Sequence, residues 1–146
     1  MLKASCSKLL AAAYDPQVLE RALPFMARAH PKLLTSGCYY VAHAETALVA
    51  CGGWSLETPG TAEKMSGVGH IRHFATNPWA GLGIARSIYA KCEEQARAAG
   101  VARLECYSTL NGELFYAALG FSRIKRIEIP MGPDVMLPAI HMSRPI

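Results

Sequence analysis

Phe74-Ala75-Thr76-Asn77-Pro78-Trp79-Ala80-Gly81-Leu82-Gly83-Ile84-Ala85 is the stretch on which the fold turns. Upstream of it, Val68 to Thr76 reads as a strand. Asn77-Pro78 ends that strand, because proline has no N–H to give a ladder and restricts the residue before it. Downstream, Ile84, Ile88, Cys92 and Ala96 step by four while Arg86, Lys91, Glu94 and Arg97 take other faces, which predicts an amphipathic helix over about residues 84–99. Glu93 and Arg97 stand in the favourable i,i+4 order, and Gly100 supplies a left-handed stop. A strand, a glycine-bearing turn and a long helix in succession make an anion site: the first helical N–H groups lack partners, and the helix dipole places partial positive charge there. The turn has neither the Gly-Lys-Ser/Thr of a Walker loop nor the third glycine of a dinucleotide fingerprint.

Working outward, Arg103 to Ser108 reads as a strand. A short helix over about Glu113 to Leu119 follows, closed by Gly120. Arg123 to Ile129 and Met136 to Met142 are two further strands around the turn-rich Pro130-Met131-Gly132-Pro133-Asp134. Toward the N-terminus, Gly37 to Val41 and Ala47 to Trp54 predict a hairpin about His43-Ala44-Glu45-Thr46. Ser55 to Gly67 is a polar loop containing Pro59-Gly60. Residues Leu9 to Ala29 predict two short helices interrupted at Asp15-Pro16 and Pro24. Strands and helices interleave in an α/β pattern with a mixed sheet.

The chain has 146 residues, 51% hydrophobic and 18% charged, which suits one compact soluble domain spanning 1–146. No apolar run approaches the roughly 18 to 20 residues of a membrane span. The N-terminus has no secretory pattern, so the expected location is cytoplasmic. Cys6, Cys38, Cys51, Cys92 and Cys106 are odd in number and show no metal-ligand spacing, so reduced thiols are expected and no metal. The net charge of +4 includes a local cluster at Arg123, Lys125 and Arg126 with no interleaved aromatics, which reads as a solvated strand face rather than a nucleic-acid surface.

Two motifs together resemble the GNAT acetyltransferases. The first is the strand ending in Phe74-Ala75-Thr76, followed by the Gly81-to-Ala85 turn and its helix. Gly83 and Ala85 match the last two fixed positions of the family's Gln/Arg-x-x-Gly-x-Gly/Ala turn. Ala80 stands where Gln or Arg is usual, Gly81-Leu82 replace a frequently basic pair, and the turn is one residue shorter than in common relatives. The second is Thr109-Leu110-Asn111-Gly112-Glu113-Leu114-Phe115-Tyr116-Ala117-Ala118-Leu119-Gly120-Phe121, which resembles the family's Asn-x-x-x-x-Phe-Tyr-x-x-x-Gly-Phe element, with three residues instead of four between Asn111 and Phe115. The resemblance covers most of the chain, but the family's first strand is absent before the first helix, which suggests an exposed sheet edge and a possible homodimer.

The resemblance implies a splayed central sheet flanked by helices and acetyl transfer from acetyl-CoA to an amine of a small molecule or peptide. Phe74, Ala75 and Thr76 would offer backbone groups to the pantetheine arm. Gly81, Leu82, Gly83, Ile84 and Ala85 would hold the pyrophosphate on backbone N–H groups, and Asn111 would bind the cofactor arm. Tyr116 would protonate the departing thiolate, its alternative role being a core aromatic beside Phe115. A lysine-like amine, with a pKa of about 10.4, needs a base near neutral pH. His70 aligns near the glutamate base of the histone-acetylating branch, and Glu105 is a weaker alternative. Strand alternation sets His70, Arg72 and Phe74 on one face and Ile71, His73 and Ala75 on the other. Trp54, Tyr39 and Tyr40 are either core aromatics or lining of the acceptor cleft. A non-catalytic acyl-CoA-binding module is the alternative to an enzyme; nucleic-acid or membrane binding is not expected.

Overall fold

The computed structural model describes residues 8–77 and 82–146. Residues 8–10 are helical. They are followed by α1 (Pro16–Met26), α2 (Pro31–Leu34), β1 (Tyr39–Ala44), β2 (Ala47–Ser55), β3 (Val68–Thr76), α3 (Leu82–Ala98), β4 (Arg103–Ser108), a 3-10 turn (Leu110–Gly112), α4 (Glu113–Ala118), β5 (Ser122–Pro130) and β6 (Met136–Pro145). The described strands form one sheet in the order β1-β2-β3-β4-β6-β5. Only the β3–β4 pair is parallel.

Local chemistry accounts for the element ends. Asp15 caps α1, its Oδ1 accepting from the N–H groups of Gln17 and Val18, with Pro16 at the first helical position where its missing N–H costs nothing. Pro24 does not interrupt the helix as expected: α1 runs through it to Met26. One absent helical hydrogen bond is outweighed by the burial of Leu19 and Ala22 in a cluster with Leu10, Tyr14 and Leu137 of β6. The hairpin turn is tighter than read, since Ala44 already pairs with Ala47 and only Glu45 and Thr46 connect them. Gly100, at φ 83°, follows α3.

The two sheet faces are covered differently. On one, Ile88, Tyr89, Cys92 and Ala96 of α3 pack over Trp54, Ile71, Leu104, Cys106 and Met142, with Tyr116 and Phe121 closing the same core. Arg144 of β6 fastens the helix there, donating from Nη1 to Tyr89 Oη at 2.9 Å and to Glu93 Oε2 at 2.8 Å. On the other face α1 packs against β6, and the Tyr14 hydroxyl joins two elements, donating to the Pro138 carbonyl and accepting from the Leu110 N–H. Cys38, Cys51, Cys92 and Cys106 are free thiols. Among the described residues no helix is long and apolar enough to cross a membrane.

One irregularity shapes everything around β3. Cys51 pairs with Ala75 and Gly53 with Arg72, so Gly52 alone faces His73 and Phe74: a β-bulge in β3. His73 takes a left-handed φ of 50°, a conformation uncommon for residues other than glycine.

The bulge carries a pH signature. An unfolded histidine takes its proton at about pH 6.5. In the fold, burial, reinforced by the charges of Arg72 and His30, lowers the His73 pKa to about 4. The contribution of His73 to stability is therefore intact above about 6.5 and is lost as the pH falls from there toward about 4, because only the unfolded state binds the proton in that window. We expect the melting temperature to fall over this range. His73→Asn, which accepts left-handed φ and does not titrate, should make that fall shallower; an unaltered pH profile in the variant would contradict the assignment.

Candidate functional site

The site begins where two strands part. β3 and β4 pair through Val68 with Arg103, Gly69 with Leu104, and His70 with Glu105, and there the pairing ends. From Ile71 to Thr76, β3 keeps β2 as its neighbour but, among the described residues, has no strand on its other side. Buried backbone N–H and C=O groups need partners. A one-sided strand therefore offers a ladder to an extended ligand, in the way a sheet edge accepts an added strand.

The bulge decides which side chains face the opening. Residues directly opposite each other share a face. Ser55 faces His70, Gly53 faces Arg72 and Cys51 faces Ala75, which puts His70, Arg72 and Ala75 together. Phe74 is moved to the face of Ile71 and Trp54, where its ring lies over Gly52: a Cβ added there would come within 2.5 Å of it. The simple alternation expected from sequence, with Phe74 beside His70 and Arg72, is thus corrected, because the extra residue of the bulge inverts the pattern beyond Arg72. Of the three aromatics proposed for the cleft, Trp54 is a core residue and Tyr40 packs against the same core. Tyr39 pairs with Gly53 and belongs to the face of His70.

His70 is 3% exposed and sits in a polar cluster. Its Nε2 is 3.3 Å from Thr58 Oγ1, and its Nδ1 is 4.0 Å from Glu105 Oε2. The same carboxylate is 3.2 Å from Arg103 through Oε1 and 3.3 Å from His141 Nε2 through Oε2. That His141 nitrogen is enclosed without a partner in hydrogen-bond geometry, and its ring stands edge-on to Tyr107 at 5.2 Å. Burial depresses the His70 pKa; Glu105 acts against it, and Arg72, His141 and Arg103 add to it. The imidazole is consequently held as a neutral base near pH 7. Sequence reasoning selected His70 and Glu105 separately, and the parallel register brings them together. It missed His141 and Thr58. The signal for His141 was a polar side chain in the otherwise apolar alternation Leu137, Ala139, His141.

Tyr116 lies across the sheet from that cluster. It is 9% exposed, set edge-on to Phe115 and Phe121 at 5.2 and 5.4 Å, which makes it a core aromatic beside Phe115. Burial raises its pKa well above the ordinary tyrosine value, with Cys106, Cys92 and Tyr89 adding to the effect. The hydroxyl stays protonated at neutral pH.

At the head of α3, Leu82 to Ala85 already form the first helical turn, two residues earlier than expected, while Gly81 lies outside the described residues. That first turn contains no acidic residue, and a Cβ built on Gly83 meets nothing within 4 Å. Positive dipole and open space suit a phosphate. Asn111 has a partner within the chain: its Nδ2 donates to the Leu9 carbonyl at 2.9 Å.

Comparison with known proteins agrees with this geometry. The model of the Acetyltransferase (GNAT) family matches residues 5–121. No curated protein sequence matches the chain. Among solved structures, a GCN5-related N-acetyltransferase from Rhodopseudomonas palustris is 19% identical with a TM-score of 0.77, over 99% of this chain and 85% of its own. The PaiA N-acetyltransferase from Thermoplasma acidophilum, solved with coenzyme A, is 12% identical with a TM-score of 0.68, over 99% and 88%. A ribosomal-protein-alanine N-acetyltransferase from Brucella melitensis is 18% identical with a TM-score of 0.59, over 100% and 97%. At these identities the likeness is one of fold.

The coupling of His70 to Glu105 is open to direct measurement. Removing the negative charge with Glu105→Gln takes away the influence that favours protonated His70. The His70 titration, followed by NMR, should move further below about 6.5; an unmoved or raised titration would show that the carboxylate does not act on it.

Proposed function

The chain belongs to the GNAT acetyltransferase family, and from that premise we propose that it moves the acetyl group of acetyl-CoA directly to a primary amine, with His70 as base and Tyr116 as acid. The observation that carries this reading is the parting of β3 and β4 between a buried neutral histidine on one sheet face and a buried protonated tyrosine on the other.

The residues fit the cosubstrate. Phe74, Ala75 and Thr76 stand on the one-sided part of β3, where backbone groups are available to an amide-bearing arm. Leu82 to Ala85 begin a 17-residue helix whose first turn holds no acidic residue and which has, at Gly83, room for close approach. The proposed pyrophosphate site uses those backbone groups together with Gly81. The coenzyme A seen with the Thermoplasma protein supports the same choice of cosubstrate. When bound, acetyl-CoA supplies an acyl group activated as a thioester.

The chain's own part is proton handling and placement. His70 takes the proton that an ammonium must lose before it can attack, directly or through one water. Glu105, held by Arg103, keeps the imidazole from being so depressed that it loses its basicity. Tyr116 keeps its proton at neutral pH and gives it to the departing sulfur. Asn111 is assigned to the cofactor arm; its bond to Leu9 would have to be exchanged or shared for that role.

Acetyl-CoA should raise the melting temperature, by the linkage expected of a ligand that binds only the folded state. Tyr116→Phe should lower kcat about 10²- to 10⁴-fold while leaving acetyl-CoA binding within about threefold. An unmoved melting temperature at high acetyl-CoA removes the basis of this reading. Binding without acetylation of any amine in a broad panel points to a non-catalytic acyl-CoA-binding module.

A further inference from the structure

Next to the His70 cluster stands a cation that feels one carboxylate, Glu57, and shares it with Lys64. Arg72 is half-buried on the same face, two residues nearer the open end of β3. Among the described residues its hydrogen bond goes to a neutral group: Nη1 donates to Ser55 Oγ at 3.0 Å, and that hydroxyl donates onward to the Glu57 carbonyl at 2.9 Å. Glu57 acts on Arg72 through its charge but pairs closely with Lys64 at 3.3 Å, and Glu105 pairs with Arg103, His141 and His70. Among the described residues no carboxylate is in direct ion-pair contact with Arg72, and residues 1–7 and 78–81 contain no Asp or Glu to provide one.

A guanidinium partly withdrawn from water without a counter-charge in contact is costly unless an anion arrives to pair with it. On this side of the cleft Arg72 and Lys64 share the single charge of Glu57. Its wall opposite Arg72 is Gly53, which has no side chain and over which the Tyr39 ring lies. The fork of an arginine suits a carboxylate held by two parallel hydrogen bonds.

We propose that Arg72 binds a carboxylate of the acceptor, and that the acceptor is a small amine of the amino-acid type whose carboxylate lies within roughly 7 Å of the reacting nitrogen, the span between alternate residues of a strand. The placement of the amine rests on His70 as the base; the binding of the carboxylate does not.

The test compares amino acids with their own carboxamides, which keep the shape and lose the charge. In acetyl transfer, kcat/KM for the acids should exceed that for the amides at least about tenfold, the order expected of a charge-assisted pair. Arg72→Gln should bring the ratio close to one, and Arg72→Lys should retain part of it. The same probes are titrated by calorimetry into CoA-loaded protein, where no turnover is needed. Carboxylate-dependent binding that Arg72→Gln abolishes, with no acetylation of any probe, upholds the carboxylate site and overturns the catalytic reading instead. Equal behaviour of acids and amides with the wild-type protein, no binding of any acid, or a preference that survives Arg72→Gln overturns the proposal. The wild-type comparison decides the matter even if a variant does not fold, and retained CoA binding shows that it does.

Discussion

The divergence of β3 from β4 after the His70–Glu105 pair is the constraint on which the rest of this molecule depends. A sheet closed along its whole length would satisfy its own backbone and leave nothing for a ligand to join. Here the bulge at His73 and Phe74 bends β3 just as its parallel partner departs. Gly52 is part of the same device, because any larger residue would occupy the volume of the Phe74 ring that the bulge sends to that face. The left-handed His73 is the local strain that accompanies the arrangement.

Around the opening, the two faces are built for opposite protonation states by the same physical cause. Burial disfavours charge, so it keeps His70 neutral and able to accept a proton, and keeps Tyr116 neutral and able to give one. Glu105 moderates the first effect, and Arg103 holds Glu105. The long helix α3 is kept in place by its apolar stripe and by Arg144, whose ties to Tyr89 and Glu93 fasten it to β6. That anchoring directs the positive end of the helix toward the end of β3.

Much of this was legible in the sequence where local rules govern. The bounds of β3 and β4 follow from flanking breakers and apolar runs, and α3 follows from its four-residue step. The family resemblance carried by Phe74 to Ala85 and Asn111 to Phe121 led to the right fold. What the sequence withheld arises from long-range geometry. No local pattern places a bulge at His73, so Phe74 was assigned to the wrong face. The convergence of His141 with Glu105 and His70 requires the β4–β6 and β3–β4 registers together. Pro24 reads as a breaker by propensity, yet packing of α1 on β6 overrides it.

The central claim, that the open side of β3 receives the cosubstrate, is tested most directly by following backbone amide resonances of isotope-labelled protein during titration with acetyl-CoA. The account predicts that the largest changes fall on Ile71 to Thr76 and on the first turn of α3, with the β1–β2 turn and β5 little affected. Saturable binding that leaves Ile71 to Thr76 unchanged would contradict it.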